Sequence, residues 1–527
     1  MLITKILEKN ASDYANETAL IERVPETGLR SQITWKEFND QSNSLANALI
    51  ISGIVKGDKI VQLMTNCLEW LPIYFGILKT GSWIVPLNFR FESDKIELCT
   101  TTAEAKVMIF GEEFIERITA VKTALDKNVK QYIFSGPADK CPAFASTLAN
   151  YVTTATSEEP DTEIDIDDEA GLYFTSGTTG TPKAVLLTHK NLEFACEVEN
   201  SHHKQNHEDN FLCIPPLYHT GAKMHWFGNF YVGAKSVILK GVSPKSILEA
   251  VSEEQVSIVW LLVPWAHDIL IAIENGEINL ADYNIEKWRL MHIGAQPVPP
   301  SLIKAWKEVF PNHEYDTNYG LTEATGPGCI HLGMENTHKT GAIGLSGYGW
   351  QCDVVNAAME ALPGGETGEL VVKGAGVMKE YYKNPEETKK AFSKGWLRTG
   401  DMARKDEHNF IWLVDRKKDL IITGGENIFP VEIENFLITN DNIHDVAVIG
   451  VPDNRLGEIV AAIIQIKAGK ELSHEDVEFF CNDLPRYKRP RQIFFGDVPR
   501  NPTGKIEKPK LRRKYIADNR DFSKLNL

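Results

Sequence analysis

No uninterrupted apolar run in the 527 residues reaches the roughly 20 positions a membrane-spanning helix needs, so an integral membrane protein is not expected. The first stretch, Met1-Leu-Ile-Thr-Lys-Ile-Leu-Glu-Lys9, mixes charge into its apolar positions and lacks a signal-peptide core, which points to a cytoplasmic protein. Ser523-Lys-Leu525 has the letters of a peroxisomal address, but Asn526 and Leu527 follow it. The eight cysteines (Cys67, Cys99, Cys141, Cys196, Cys213, Cys329, Cys352, Cys481) include no Cys-x-x-Cys pair, so reduced structural thiols are a better reading than a zinc site or disulfide framework. Basic residues are in deficit: 56 Lys and Arg against 72 Asp and Glu leave a net charge of -16, which argues against general nucleic-acid binding. A dinucleotide fingerprint is missing too, because Lys379 stands where Gly374-Ala-Gly376 would need a third glycine. No internal repeat or low-complexity tract is evident.

What remains is an ordinary globular composition, 43% hydrophobic and 24% charged, on a chain too long for one core. Residues 1 to about 150 alternate helical stretches with short apolar runs such as Lys59-Ile-Val-Gln-Leu-Met64, Trp83-Ile-Val-Pro86 and Ala105-Lys-Val-Met-Ile-Phe110, the rhythm of βαβ units. Ser157 to Glu169 carries eight acidic residues and reads as a solvated connector. The rhythm then resumes, with Phe211–Ile214, Ser236–Leu239, Ser257–Val263 and Arg289–Ile293 as strands, and Ser246–Gln255 and Pro300–Phe310 among the helices. Gly368-Glu-Leu-Val-Val-Lys-Gly374 signals antiparallel strands, and residues 419–527 read as a small α+β domain with a basic end. His202, His203 and His207 look like a metal cluster, but their polar neighbours Lys204, Gln205, Glu208 and Asp209 favour a solvated helix end.

The densest signal is Thr175-Ser-Gly-Thr-Thr-Gly-Thr-Pro-Lys183. It follows the strand-like Gly171-Leu-Tyr-Phe174 and leads towards Thr188-His-Lys-Asn-Leu192, a helix start, so a turn between strand and helix is expected. Its hydroxyl side chains, its glycines Gly177 and Gly180 with their open backbone amides, and Lys183 suit a polyphosphate. It is not a Walker loop, since Pro182 and Ala184 flank the lysine. Further along, Asn318-Tyr-Gly-Leu-Thr-Glu323 offers a ring to stack on a base, a hydroxyl for a phosphate oxygen and a carboxylate for a hard cation. Asp401, in Trp396-Leu-Arg-Thr-Gly-Asp401, is a candidate acceptor for two ribose hydroxyls. From Pro485 to Lys514 eleven Lys or Arg face two acids.

These motifs, in this order, resemble the adenylate-forming superfamily of acyl- and aryl-CoA synthetases, firefly-type luciferases and peptide-synthetase adenylation domains. The chain looks most like an AMP-forming acyl-CoA synthetase. Ala184, where glycine is usual, and Leu456, where several relatives have tryptophan, depart from the pattern. The resemblance implies an α/β fold: a large N-terminal domain (1–415) of two βαβ-type subdomains plus a small β-barrel-like subdomain, a hinge at 416–418, and a mobile α+β C-terminal domain (419–527). It implies ATP, Mg²⁺ and coenzyme A, with a small-molecule carboxylate as partner, and no nucleic acid.

By the same resemblance, ATP contacts fall on Thr175, Ser176, Gly177, Thr178, Thr179, Gly180, Lys183, Gly294, Ala295, Gln296, Pro297, Asn318, Tyr319, Gly320, Thr322, Asp401 and Arg416. Glu323 takes the metal, and Lys505, in Asn501-Pro-Thr-Gly-Lys505, is the catalytic lysine beside Thr322, Glu323 and His219. Lys418 is the hinge. Arg90, Gly424, Gly425, Tyr487, Arg489 and Arg491 serve coenzyme A. The acid pocket is expected around His219, Trp226 and Gly326, with Trp265 and Trp350 as further flat walls, which leans towards a compact uncharged acid: aromatic, alicyclic or of short to medium chain. A carrier-protein-loading enzyme, a luciferase-like oxidase and a catalytically silent nucleotide binder are the alternatives, and a homodimer is one possible assembly.

Overall fold

The computed structural model describes residues 1–175, 182–294, 298–326, 328–416, 419–423, 426–453, 455–500 and 505–518. Four sheets organise them. An eight-stranded sheet has a parallel centre of Trp83–Pro86, Lys59–Leu63, Val107–Gly111 and Gln131–Ser135. Beside it lies the hairpin of strand β1 (Glu169–Thr175) and strand β2 (Lys183–Thr188), in which Thr175 faces Lys183. The phosphate-loop segment therefore joins two antiparallel strands. The expected turn from strand directly into helix is corrected by one strand: Ala184-Val-Leu-Leu187 is a buried ladder segment before any helix begins.

Helix α1 (His189–His203) starts where its cap predicts. Thr188 Oγ1 accepts from Asn191 N–H at 3.3 Å and Asn191 Oδ1 accepts from Thr188 N–H at 2.8 Å, a reciprocal capping box that supplies two orphan donors with partners. Its inward stripe, Leu192, Cys196, Glu199 and His203 with Ala195 and Val198, follows helical spacing but ends in two polar residues. Helix α2 (Thr220–Tyr231) packs against it.

A nine-stranded sheet carries Asn210–Cys213, Lys235–Leu239, Ile258–Leu262, strand β3 (Leu290–Gly294) and strand β4 (Glu314–Tyr319), all parallel, as expected for βα units. Its far side is completed by the hairpin of Thr18–Val24 and Leu29–Thr34, the first strand parallel to Lys235–Leu239, so an N-terminal hairpin joins strands built two hundred residues later. One apolar core lies between the two large sheets, with Trp35, Phe38, Trp70, Tyr74, Phe75, Trp226 and Phe230 in contact. Each such ring contributes about 1.5–3 kcal/mol by leaving water.

The third sheet is antiparallel: Gln351–Val355, Thr367–Lys373, strand β5 (Trp396–Lys405) and strand β6 (Ile411–Arg416), with Phe392–Ser393 at the edge. The fourth holds Ile421–Thr423, Glu426–Ile428, Ile443–Asp453, Gly457–Ile466 and Gln492–Phe495, flanked by helices Pro430–Leu437, His474–Phe480 and Lys508–Asp518. This is the α/β architecture with a smaller α+β unit that the sequence implied. Among the described residues no helix is long and apolar enough to cross a membrane.

Two expectations are corrected here. The acidic connector is not wholly solvated, because the Glu159 carboxylate lies 2.8 Å from the buried Lys79 Nζ and accepts from Asn39 and Asn43. The histidines at the end of α1 are not a solvated helix end: His203 is fully buried, His202 Nε2 accepts from Tyr348 N–H at 3.0 Å, and His207 stacks on Tyr14.

Candidate active site

Strands β3, β4 and β5, the turn after β4, and the start of α2 converge on one cleft. Tyr319, the last residue of β4, is 8% exposed and donates its hydroxyl to Asp401 Oδ2 at 2.5 Å. Asp401 sits on β5 directly opposite Arg416 of β6, so the two expected ribose contacts share one rung of the ladder. Asn318 is held at 2.8 Å by His225 Nε2 of α2. Gly294 ends β3, and a side chain there would meet Asn318 Oδ1 and the Trp260 indole at an ordinary 3.6 Å, so space alone does not demand glycine. Ala295, Gln296 and Pro297 lie outside the described residues, as do Ser176, Gly177, Thr178, Thr179, Gly180, Lys418, Gly424 and Gly425.

After Tyr319 comes Gly320, then a short turn of helix, Thr322–Ala324, which leaves through Thr325 at φ +58°. That left-handed residue is held by its hydroxyl on Gly376 O at 2.6 Å. Gly326 follows and faces Gly221 closely: an added Cβ would stand 3.7 Å from the Gly221 Cα. Thr322 Oγ1 accepts from Thr220 Oγ1 at 3.4 Å, and Glu323 Oε1 accepts from the Tyr381 hydroxyl at 2.8 Å. Tyr381 also lies under Lys183, whose Nζ is 4.8 Å from the ring centroid and 2.5 Å from Glu387 Oε2. Lys183, Glu323 and two residues not singled out by sequence, Tyr381 and Glu387, thus form one chain of contacts. Only pairing of Glu380–Tyr381 with β2 brings Tyr381 there, and no local motif signals it.

His219 caps α2, its Nδ1 accepting from Gly221 N–H at 3.1 Å. Burial, then the positive charges of Lys505 and Lys223, bring its pKa down to about 3, so the ring is neutral. Lys505, distant in sequence, thus bears electrostatically on the histidine with which it was expected to work. Lys223, one turn on from His219, was missed by sequence. It is fully buried with Nζ 4.6 Å from the centroids of Tyr74 and Tyr173, and burial pushes its pKa well below the usual lysine range.

The acid pocket needs revision. Trp226 is completely buried in the aromatic core and donates its indole N–H to Ser236 Oγ at 2.9 Å, so it does not serve as a pocket wall. A narrow crevice, too tight to hold a water molecule, lies instead among Asn191, Phe194, Val198, Ala324, Thr325 and Trp350. The expected coenzyme A residues divide. Arg90 is exposed beside Phe89, and Tyr487 is 46% exposed. Arg491 is exposed too. Arg489 spends its three guanidinium nitrogens on Leu484 O, Asn482 O and Asn482 Oδ1 at 2.7–2.9 Å, which makes it a clamp of its own loop and corrects its assignment as a phosphate contact. Leu456 is partly buried against Ile449 and Val451 and their neighbours.

Residues 7–382 match the AMP-binding enzyme family and residues 432–505 the AMP-binding enzyme C-terminal domain. A long-chain-fatty-acid–CoA ligase of Mycobacterium tuberculosis is 32% identical over 94% of this chain and 95% of its own length. A feruloyl-CoA synthase of an Amycolatopsis species is 31% identical over 92% of this chain and 94% of its own length. Among solved structures, an anthranilate CoA ligase holding anthranoyl-AMP aligns with TM-score 0.89 at 24% identity, over 99% of this chain and 98% of that one. With a cleft of this geometry and matches that span nearly its whole length, the chain belongs to the AMP-binding enzyme family, among the AMP-forming acyl- and aryl-CoA ligases.

Proposed function

We propose that the protein joins a compact, uncharged carboxylic acid, aromatic, alicyclic or of short to medium chain, to coenzyme A. A carboxylate oxygen attacks the α-phosphorus of ATP, the bond to the β-phosphate oxygen breaks, and pyrophosphate leaves. The coenzyme A thiol, losing its proton, then attacks the acyl carbonyl and AMP departs with the bonding pair. The observation that carries this reading is the match of residues 7–382 and 432–505 to the two AMP-binding enzyme families, the second ending on Lys505, which is assigned to meet the carboxylate and the α-phosphate together and lower their mutual repulsion.

Tyr319 and Asn318 are assigned to adenine, Asp401 and Arg416 to ribose, and Lys183, Thr322 and the loop from Thr175 to the phosphates. A divalent cation on the triphosphate falls to Glu323, whose carboxylate the Tyr381 hydroxyl positions; when bound it supplies charge neutralisation. Because Lys505 and an entering pantetheine thiol compete for one approach, residues 419–527 are assigned a rotation about Lys418 between the two half-reactions. Arg90, Tyr487 and Arg491 are the coenzyme A contacts that remain.

For the acid, the side chains at the closed crevice by Phe194 and Trp350 carry no charge, which favours an uncharged body should the crevice open to admit it. The feruloyl- and anthranilate-activating relatives are consistent with that class, whereas the long-chain-fatty-acid–CoA ligase acts on a longer acid than the one proposed here. A panel of carboxylates, scored for AMP release with and without coenzyme A, tests the reading. Turnover with benzoate-sized or C4–C10 acids only when coenzyme A is present supports it. Turnover confined to long-chain or amino acids, or to a carrier protein as acceptor, overturns it.

A further inference from the structure

Between helix α1 and strand β3, polar groups are buried that the reaction does not use. Helix α1 continues its apolar stripe with Glu199 and His203, one turn apart, and β3 presents His292 two residues before Gly294; all three are at 0% exposure. His203 Nδ1 lies 2.8 Å from Glu199 Oε1, and His292 Nδ1 lies 3.9 Å from the same oxygen. The His203–Glu199 contact is an ion pair with poor hydrogen-bond alignment, and Glu199 Oε2 and both His292 nitrogens have no hydrogen-bond partner. A buried carboxylate and imidazoles left in this way are costly unless something else satisfies them.

The other nitrogen of His203 is accounted for. Its Nε2 is 2.8 Å from Asp316 Oδ2, and Asp316 is itself fixed by His331 Nδ1 at 3.0 Å and by Gly333 N–H at 2.9 Å. A carboxylate that holds one imidazole nitrogen and leaves the other facing a shared point is the outer-shell arrangement of metal-bound histidine. The three inward atoms lie within 4.8 Å of one another. Bonds of about 2.0–2.1 Å in a tetrahedron imply ligand separations of about 3.3 Å, and the separations of 2.8 and 3.9 Å bracket that value. Asp316, His203 and His331 also cluster, but there the carboxylate oxygens already accept three hydrogen bonds, so that set has less to gain.

We propose that Glu199, His203 and His292 form a binding site for a divalent transition-metal ion of the zinc type, with water in the fourth position, which pins helix α1 to the strand carrying the adenine-side loop. With the ion bound, His203 releases the proton it holds towards Glu199, and the Glu199 and Asp316 carboxylates balance the ion's two charges. The ion is structural and takes no part in acyl transfer. A second, exposed cluster of Asp406, Glu407 and His408 serves as the control.

The test is metal content of the full-length protein by mass spectrometry after dialysis against a buffer holding free zinc in the nanomolar range. One zinc per chain is expected, retained in His408→Ala and lost in His292→Ala and Glu199→Gln. Cobalt substitution should give the visible absorption of a tetrahedral N/O site, and Asp316→Asn should weaken the affinity by about 10–100-fold. Should the core variants fail to fold, the wild-type protein still decides: chelation should lower its thermal midpoint and added zinc restore it. A chain that binds no zinc, that keeps its zinc in His292→Ala or loses it in His408→Ala, or whose midpoint ignores both chelator and zinc, overturns the proposal.

Discussion

The ion pair between Lys183 and Glu387 makes a prediction of definite sign. If Lys183 serves the phosphates, ATP must draw it from a carboxylate 2.5 Å away, and neutralising Glu387 should tighten nucleotide binding. Hydrogen bonding to Lys183, then to Lys390, lowers the Glu387 pKa from its ordinary 4.5 to about 2, a difference of about 3.4 kcal/mol taken at face value. The carboxylate is 29% exposed and its stabilisation is shared between two lysines, so solvent screening leaves about 1 kcal/mol for the Lys183 contact. Glu387→Gln should therefore bind MgATP about fivefold more tightly, as measured by calorimetry in the absence of acid. In a Lys183→Ala background the same substitution should change nothing, because the cycle isolates the pair. Weaker ATP binding on Glu387→Gln in both backgrounds would refute the reasoning and make Glu387 a direct support of the site.

Removing the Tyr319 hydroxyl in Tyr319→Phe deprives the buried Asp401 of a 2.5 Å donor and should cost about 1–3 kcal/mol in urea denaturation, with weaker ATP binding if Asp401 holds the ribose. Trp350→Ala opens the crevice and should shift kcat/KM towards longer acids by about 10-fold or more per methylene; an unchanged chain-length profile would remove Trp350 from the pocket. Burial brings His189 and His313 down to about 4, so below the ordinary 6.5 the unfolded chain takes up protons that the native state refuses. Stability should therefore fall as pH drops from 6.5 towards 4, by roughly 1.5 kcal/mol per histidine by pH 5, and His189→Gln with His313→Gln should flatten the slope of denaturation midpoint against pH.

Much of this architecture was legible because its signals are local. Thr188 with Asn191 announces a helix start, and Lys59–Leu63, Trp83–Pro86 and Leu290–Gly294 are short apolar runs of strand length. What was not legible depends on distant pairing. Thr18–Val24 contains nothing that assigns it to the sheet of Lys235–Leu239, and Lys183–Thr188, lying between a glycine-rich segment and a helix cap, declares itself a strand only with β1 alongside. Trp226 suggested a pocket wall as readily as a core ring until Phe38, Phe75 and Ser236 were found around it. Tyr381, Glu387 and Lys223 enter the site through contacts that no motif encodes. His203 looked solvated among its charged sequence neighbours, yet helical spacing from Leu192 and Cys196 turns it inward.

The direct test of the mechanism separates its halves in Lys505→Ala. Carboxylate-dependent exchange of labelled pyrophosphate into ATP should drop by about 100-fold or more, the scale of losing one group that stabilises transition-state charge. Thioester formation from supplied acyl-AMP and coenzyme A should stay within a few fold of the unsubstituted enzyme. Equal loss of both half-reactions, or full pyrophosphate exchange without the lysine, would contradict the account.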